Sequence, residues 1–286
     1  MYYHITIYIP QNYKYKYHNY DIINLDKKVY IGWWVMSINK ILLLATFAGK
    51  IMLESGAEIY RVQETTSRIC TSFNLHDVDV FATPTTIIIS VTDDTGNTIS
   101  KIKRITSRTV DLDKISKIND LSRNISCKDL SINSVHNRLI EIDAEPKYSN
   151  KTLTFCSSIA AGSFTLMFGG SFKDFFVSII IGFLIQIMSV YLSKIQANSF
   201  FINCIGGALA SFIALISKYI GFADNIDKIV VGSLMLLVPG LIITNAIRDT
   251  IAGDIASGIS RACEAFLIAI AIAVGNGIVF SLWLFF

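Results

Sequence analysis

Asn245, Arg248, Asp249, Asp254, Ser257, Arg261 and Glu264 follow Pro239 and Gly240 in a stretch of chain whose other residues are mostly apolar. An ionised side chain at the centre of a bilayer costs roughly 2.5–3.5 kcal/mol on insertion scales, so charges of both signs there need partners, water or a substrate. The series therefore marks a candidate transport site. Arg248 offers a planar fork of donors suited to a carboxylate: Asp254, Glu264, or that of an anionic or zwitterionic substrate. On a helix resuming after Gly240, Asn245 and Asp249 stand at i,i+4 beside Arg248, with Asn245 to orient substrate and Asp249 and Asp254 to set the local field. Arg261 and Glu264 stand at i,i+3 on the last apolar segment and are the coupling or gating candidates. Glu264 is the choice for proton coupling, because apolar surroundings favour the neutral form of a carboxylic acid. The alternative for all these residues is a structural salt-bridge cluster at the cytoplasmic rim.

The elements that must position this series are membrane helices. From Lys151 onward the chain carries seven basic and six acidic residues, against eighteen and sixteen in the first 150. That half divides into five apolar segments, 152–170, 175–193, 199–219, 228–246 and 258–284, each near the ~20 residues that cross a hydrocarbon core. Pro239-Gly240 interrupts the fourth, and a broken helix at membrane depth persists only where protein or a cavity satisfies its freed backbone groups. Such breaks often carry the binding site of secondary transporters. Small residues at Ala160-Ala161-Gly162, at Gly206-Gly207-Ala208 and at Gly258 with Ala262 and Ala265 suit close helix packing. The distribution of lysine and arginine favours a cytoplasmic N-terminus and an external C-terminus.

The first half reads as a small α+β cytoplasmic domain, residues 38–148, ahead of the membrane domain, 149–286. Apolar residues at three- and four-residue steps from Ile38 to Phe73 predict one long amphipathic helix. Glu54, Glu58, Arg61, Thr65 and Arg68 share its other face, where solvation is the plain reading. Glu58 can meet Arg61, and Glu64 can meet Arg68. Val78–Phe81, Thr85–Val91 and Thr98–Ile105 read as three strands, with Pro84 at a bend and Asp93–Asn97 as a turn. Asp111–Cys127, with Leu112, Ile115, Ile118 and Leu121 on one side, and Ser131–Glu145 read as helices. Residues 1–37 lack a sustained apolar period and the plan of a secretory signal. They are expected to be a disordered tail or misassigned upstream translation, with Met36 as the start.

The five cysteines form no C-x-x-C pair, the four histidines are scattered, and neither H-E-x-x-H, a Walker A loop nor G-x-S-x-G occurs. This argues against structural zinc, a disulfide framework and the common hydrolases. No metal or cofactor is expected, no nucleophile–base pair marks an enzyme, and the net charge of +3 is too dispersed to recommend nucleic acid as a partner.

Gly49–Val62 (GKIMLESGAEIYRV), Ala82-Thr83-Pro84-Thr85, and the Pro239-Gly240 series through Asn245-Ala246-Ile247-Arg248-Asp249, Gly253-Asp254 and Ser257-Gly258 resemble the threonine/serine exporter family. More closely, the chain is similar to the short, split form, in which this subunit works with a separate smaller membrane protein; one such pair is associated with succinate export. The resemblance covers about residues 38–285. It implies a cytoplasmic domain, membrane helices, efflux of small amino or dicarboxylic acids, and motif residues Glu54, Gly56, Glu58, Arg61 and Pro84. This chain departs from the longer form in showing one membrane half. The expectation is a subunit of a plasma-membrane secondary exporter for a small carboxylate-bearing metabolite, with a second smaller subunit or another copy as partner. The competing expectation is a membrane-anchored regulatory or scaffold subunit.

Overall fold

The computed structural model describes residues 25–92, 96–146 and 148–285, with side chains from Ile38 onward. The tail expected over the first residues lies outside the described chain up to residue 24. Helix α1 runs from Leu25 to Glu54 and α2 from Ile59 to Ser72, so the single helix expected from Ile38 to Phe73 is two. The break follows from Gly56, whose φ of +85° is the left-handed conformation that only glycine adopts freely. The amides of Gly56 and Ala57 bond back to the carbonyls of Leu53 and Met52 and close α1. Apolar spacing resumes in phase beyond the turn, which is why periodicity alone conceals it.

Strands β1 (Asp77–Thr83), β2 (Thr86–Thr92) and β3 (Thr98–Arg104) form an antiparallel sheet in chain order. Pro84 occupies the turn between β1 and β2, where a missing amide costs no ladder bond. Ile87, Ile89 and Val91 alternate onto the core face of β2. Helices α3 (Leu112–Cys127) and α4 (Ile132–Ala144) start at Asp111 and Ser131, whose side chains accept from the amides of Lys114 and Ser134. Ile115, Ile118 and Leu121 face inward as expected, whereas Leu112, in the opening turn, is exposed. Helix α1 is the axis: Leu44, Ile51 and Met52 join Ile69, Ile89, Ile118 and Leu139 in one buried cluster.

The apolar half holds α5 (Asn150–Met167), α6 (Phe172–Lys194), α7 (Ser199–Tyr219), α8 (Ile226–Leu234), α9 (Gly240–Ile251) and α10 (Ile255–Trp283). Among the described residues, α6, α7 and α10 are long and apolar enough to cross a membrane. The fourth apolar segment is discontinuous, as its Pro-Gly pair predicts: α8 ends before Met235 and α9 begins at Gly240. Small residues set the crossings. A Cβ on Gly207 or Gly275 would strike backbone of the facing helix in the α7–α10 contact, and one on Gly258 would strike Thr250 and Ala246 of α9. Large apolar side chains such as Phe183, Phe212, Phe266 and Leu267 face outward, the pattern of a surface solvated by lipid.

Asp174 ties the far end of this half together. Its fully buried carboxylate accepts from the amides of Ser171, Asp224 and Asn225 and from the Asn225 side chain, joining the start of α6 to the α7–α8 loop. The Asp174 amide in turn donates to the Ser171 hydroxyl oxygen, completing a capping box.

Candidate functional site

The break between α1 and α2 positions the polar series. Because Gly56 turns the chain sharply, the carbonyls of Gly56 and Ala57 and the amide of Ile59 project from the loop with no helical partner. They meet the face that α9 and α10 present. Asn245 Nδ2 donates to the Gly56 carbonyl at 2.9 Å, and Arg261 Nη2 donates to the Ala57 carbonyl at 2.7 Å. The Ile59 amide donates to Asp249 Oδ1 at 2.9 Å. Asp249, fully buried, also lies 3.0 Å from Nε of the buried Arg261, an ion contact in which the Nε–H is not aimed at the oxygen. Gln63 of α2 reaches Asp254 at 3.5 Å, the longest contact of the set.

Glu58 closes the arrangement. Its side chain is 7% exposed, and it pairs with Arg248, 54% exposed, at 2.5 Å and with Arg61 at 3.4 Å. Burial works against ionising Glu58. A hydrogen bond from its own backbone amide and the two arginines outweigh that cost and hold its carboxyl below the usual range.

Three expectations are corrected by this geometry. Arg248 is paired with neither Asp254 nor Glu264 but with Glu58, 190 residues away in sequence. Glu264 meets Arg108, whose Nη2 bridges both carboxylate oxygens at 2.9 and 3.1 Å in a half-exposed pair. The charged face of the first helices is not simply solvated: Glu58 and Thr65 are buried, although Glu64 and Arg68 do pair at the surface. Each correction has one cause, which is that distant segments supply charges that local spacing cannot reveal.

The segment before α3 reinforces the junction. The amides of Thr109 and Asp111 bond to the carbonyls of Glu54 and Ser55, which brings Arg108 over α10. Glu54 itself pairs with Lys50 at 3.4 Å. Ser257 is buried on α10, while Gly240 is exposed at the start of α9 and Pro239 precedes it as the cap residue. Pro84, in the sheet turn, contributes none of these bonds.

Gly56, Glu58, Asn245, Arg248 and Asp249 of this junction fall within the motif segments quoted above, and the comparison with known families agrees. The model of the family described as "Putative threonine/serine exporter" matches residues 43–283. The chain belongs to the threonine/serine exporter family. A probable threonine/serine exporter of Mycobacterium tuberculosis is 22% identical over 239 residues, 82% of this chain and 45% of that protein. A threonine/serine exporter of Corynebacterium glutamicum is 21% identical over 242 residues, 82% and 50%. A probable succinate transporter subunit of Klebsiella aerogenes is 22% identical over 237 residues, 81% and 90%. This family member thus spans about half the length of the first two relatives and nine-tenths of the third. No solved structure gives a significant match.

Sequence reasoning singled out most of the junction of this exporter-family chain but not Arg108, Gln63 or the free backbone groups of the loop. Arg108 lies in a segment without periodicity, and nothing local distinguishes it. Gly56 was the available signal: a glycine beside Ser55 within a helical pattern marks a C-terminal cap as well as it marks a motif position.

Proposed function

We propose that this chain is one subunit of a secondary exporter that moves small amino acids or dicarboxylates, of the threonine/serine or succinate class, out of the cell with proton coupling. The observation that carries the reading is Arg248, a half-exposed guanidinium already paired with a carboxylate. Glu58 stands there as the internal equivalent of a substrate carboxylate. When the loop withdraws, Arg248 binds the substrate, Asn245 orients it, and Asp249 and Asp254 set the field. Pro239 and Gly240 supply the break that frees α9 to move, Ser257 lines the inner face, and Arg261 and Glu264 couple or gate. Gly56, Glu54, Arg61 and Pro84 belong to the domain that presents Glu58.

In this reading residues 38–148 form a cytoplasmic domain, and residues 149–286 cross the plasma membrane five times, with α8 and α9 together making one discontinuous crossing. A smaller second membrane subunit or another copy completes the path. The likeness to a relative named as a transporter subunit supports the first option. A second reading, a regulatory or scaffold subunit without its own path, draws support from one fact: most polar groups of the series are already satisfied by the chain itself.

Counterflow in proteoliposomes tests the proposal. Arg248→Lys, at matched protein level, is expected to abolish or severely weaken flux, because a point charge does not reproduce the bidentate fork. Wild-type flux in the variant removes Arg248 from the site. Flux by a demonstrated monomer refutes the need for a partner, and absence of flux with every candidate partner favours the scaffold reading.

A further inference from the structure

Helices α5 and α6 pack antiparallel: Ser157 bonds to Gln186 and Thr165 to Ser178, so the start of α5 and the end of α6 share one end of the hairpin. An open groove of about 720 Å³ runs along their outer surface. Its sides follow helical spacing on both elements and present Phe155, Phe183 and Ile187, each 45% exposed or more, while its polar end carries Lys151, Lys194 and Tyr191. No acidic residue lines it. Neither lysine has an ion pair among the described residues.

At the opposite end of the same half, two of the lysines are engaged by one aspartate residue. There Lys173 pairs with Asp224 at 3.4 Å, and Lys218 donates to the Asp224 carbonyl at 2.7 Å. The two lysines at the groove are thus drawn together at one end without an acidic residue among its lining. From Ile180 to Lys194 the groove extends about 21 Å at the rise of an α-helix. That is half of a bilayer about 40–45 Å thick including its headgroups. A basic end, an interfacial tyrosine and an apolar channel one leaflet deep match the three parts of a single lipid molecule.

We propose that this groove binds one anionic phospholipid, its phosphate held by Lys151 and Lys194 and one acyl chain laid along Phe155, Phe183 and Ile187. The inference rests on α5 and α6 crossing the membrane and is independent of whether the chain transports. The site gives the protein a preference for the leaflet and the lipid composition in which its α5–α6 hairpin is anchored.

The test uses the full chain purified in a neutral detergent, with lipid retention followed by native mass spectrometry during titration with dioleoyl phosphatidylglycerol or dioleoyl phosphatidylcholine. One saturable phosphatidylglycerol is expected, with phosphatidylcholine much weaker. Lys151→Gln with Lys194→Gln should weaken it roughly thirtyfold, the strength of two basic residues beside an anionic surface. Lys173→Gln with Lys218→Gln should leave it unchanged. Ile187→Trp, with both lysines intact, should block the channel and remove the bound lipid. Equal binding of the two lipids, or equal loss in the Lys173/Lys218 pair, overturns the site. Displacement by glycerol phosphate at concentrations comparable to the lipid also overturns it, since that marks a phosphate site without a chain. Co-purification of a membrane polypeptide that excludes lipid from the groove does the same.

Discussion

Replacing Asp249 with Ala removes the group on which the junction converges, and the structure fixes how much that costs. The Ile59 amide loses its acceptor, and leaving a buried donor unsatisfied costs about 1–3 kcal/mol. Arg261, 6% exposed, loses its counter-charge, and breaking a buried pair by removing one partner costs about 3–5 kcal/mol. The two effects overlap, since an undocked loop relieves both, so the larger is the expected size of the change. At about 1.4 kcal/mol per factor of ten, the amide of Ile59 should exchange with solvent some hundred- to thousandfold faster. Hydrogen exchange on peptides covering residues 55–62 measures it, with peptides from β2 as the internal control. Arg261→Met in the same chain should recover part of the protection, because the charge left behind is gone. Exchange within threefold of wild type in Asp249→Ala would refute the claim that this carboxylate holds the loop.

Glu58 has a carboxyl held below its ordinary value of 4.5, so its contribution to docking is complete above that value and declines as pH falls through the folded one. Protection of the same peptides should therefore weaken on acidification below pH 4.5, and Glu58→Gln should remove that part of the pH dependence. Cys70, buried under α1, has its thiol pushed up to about 12 by burial; it should resist maleimide in the folded protein and react on unfolding. For the proposed orientation, single cysteines at Phe222 and Asn198 should differ in labelling from outside the cell, Phe222 accessible and Asn198 not; the reverse pattern would invert the topology.

The strands, helices α3 and α4, the Pro-Gly break and the small-residue crossings were legible because each is encoded within a few neighbouring residues. Period-two alternation marks Ile87, Ile89 and Val91, a short polar cap marks Asp111 and Ser131, and a missing amide with a flexible neighbour marks Pro239-Gly240. The polar series was legible as an anomaly, since charges in an apolar run stand out by composition alone. Its partners were not. Ile59 and Asp249 are 190 residues apart, and Arg108 and Glu264 are 156 apart. Such pairs are chosen by how whole helices pack, and neither residue type nor spacing specifies which opposite charge will arrive. The one local clue, Gly56, was masked because apolar periodicity continues in phase on both sides of its turn. The sequence by itself determined where charge had to be satisfied; only the tertiary structure decided that the loop between α1 and α2 satisfies it, with backbone groups freed by a glycine at positive φ.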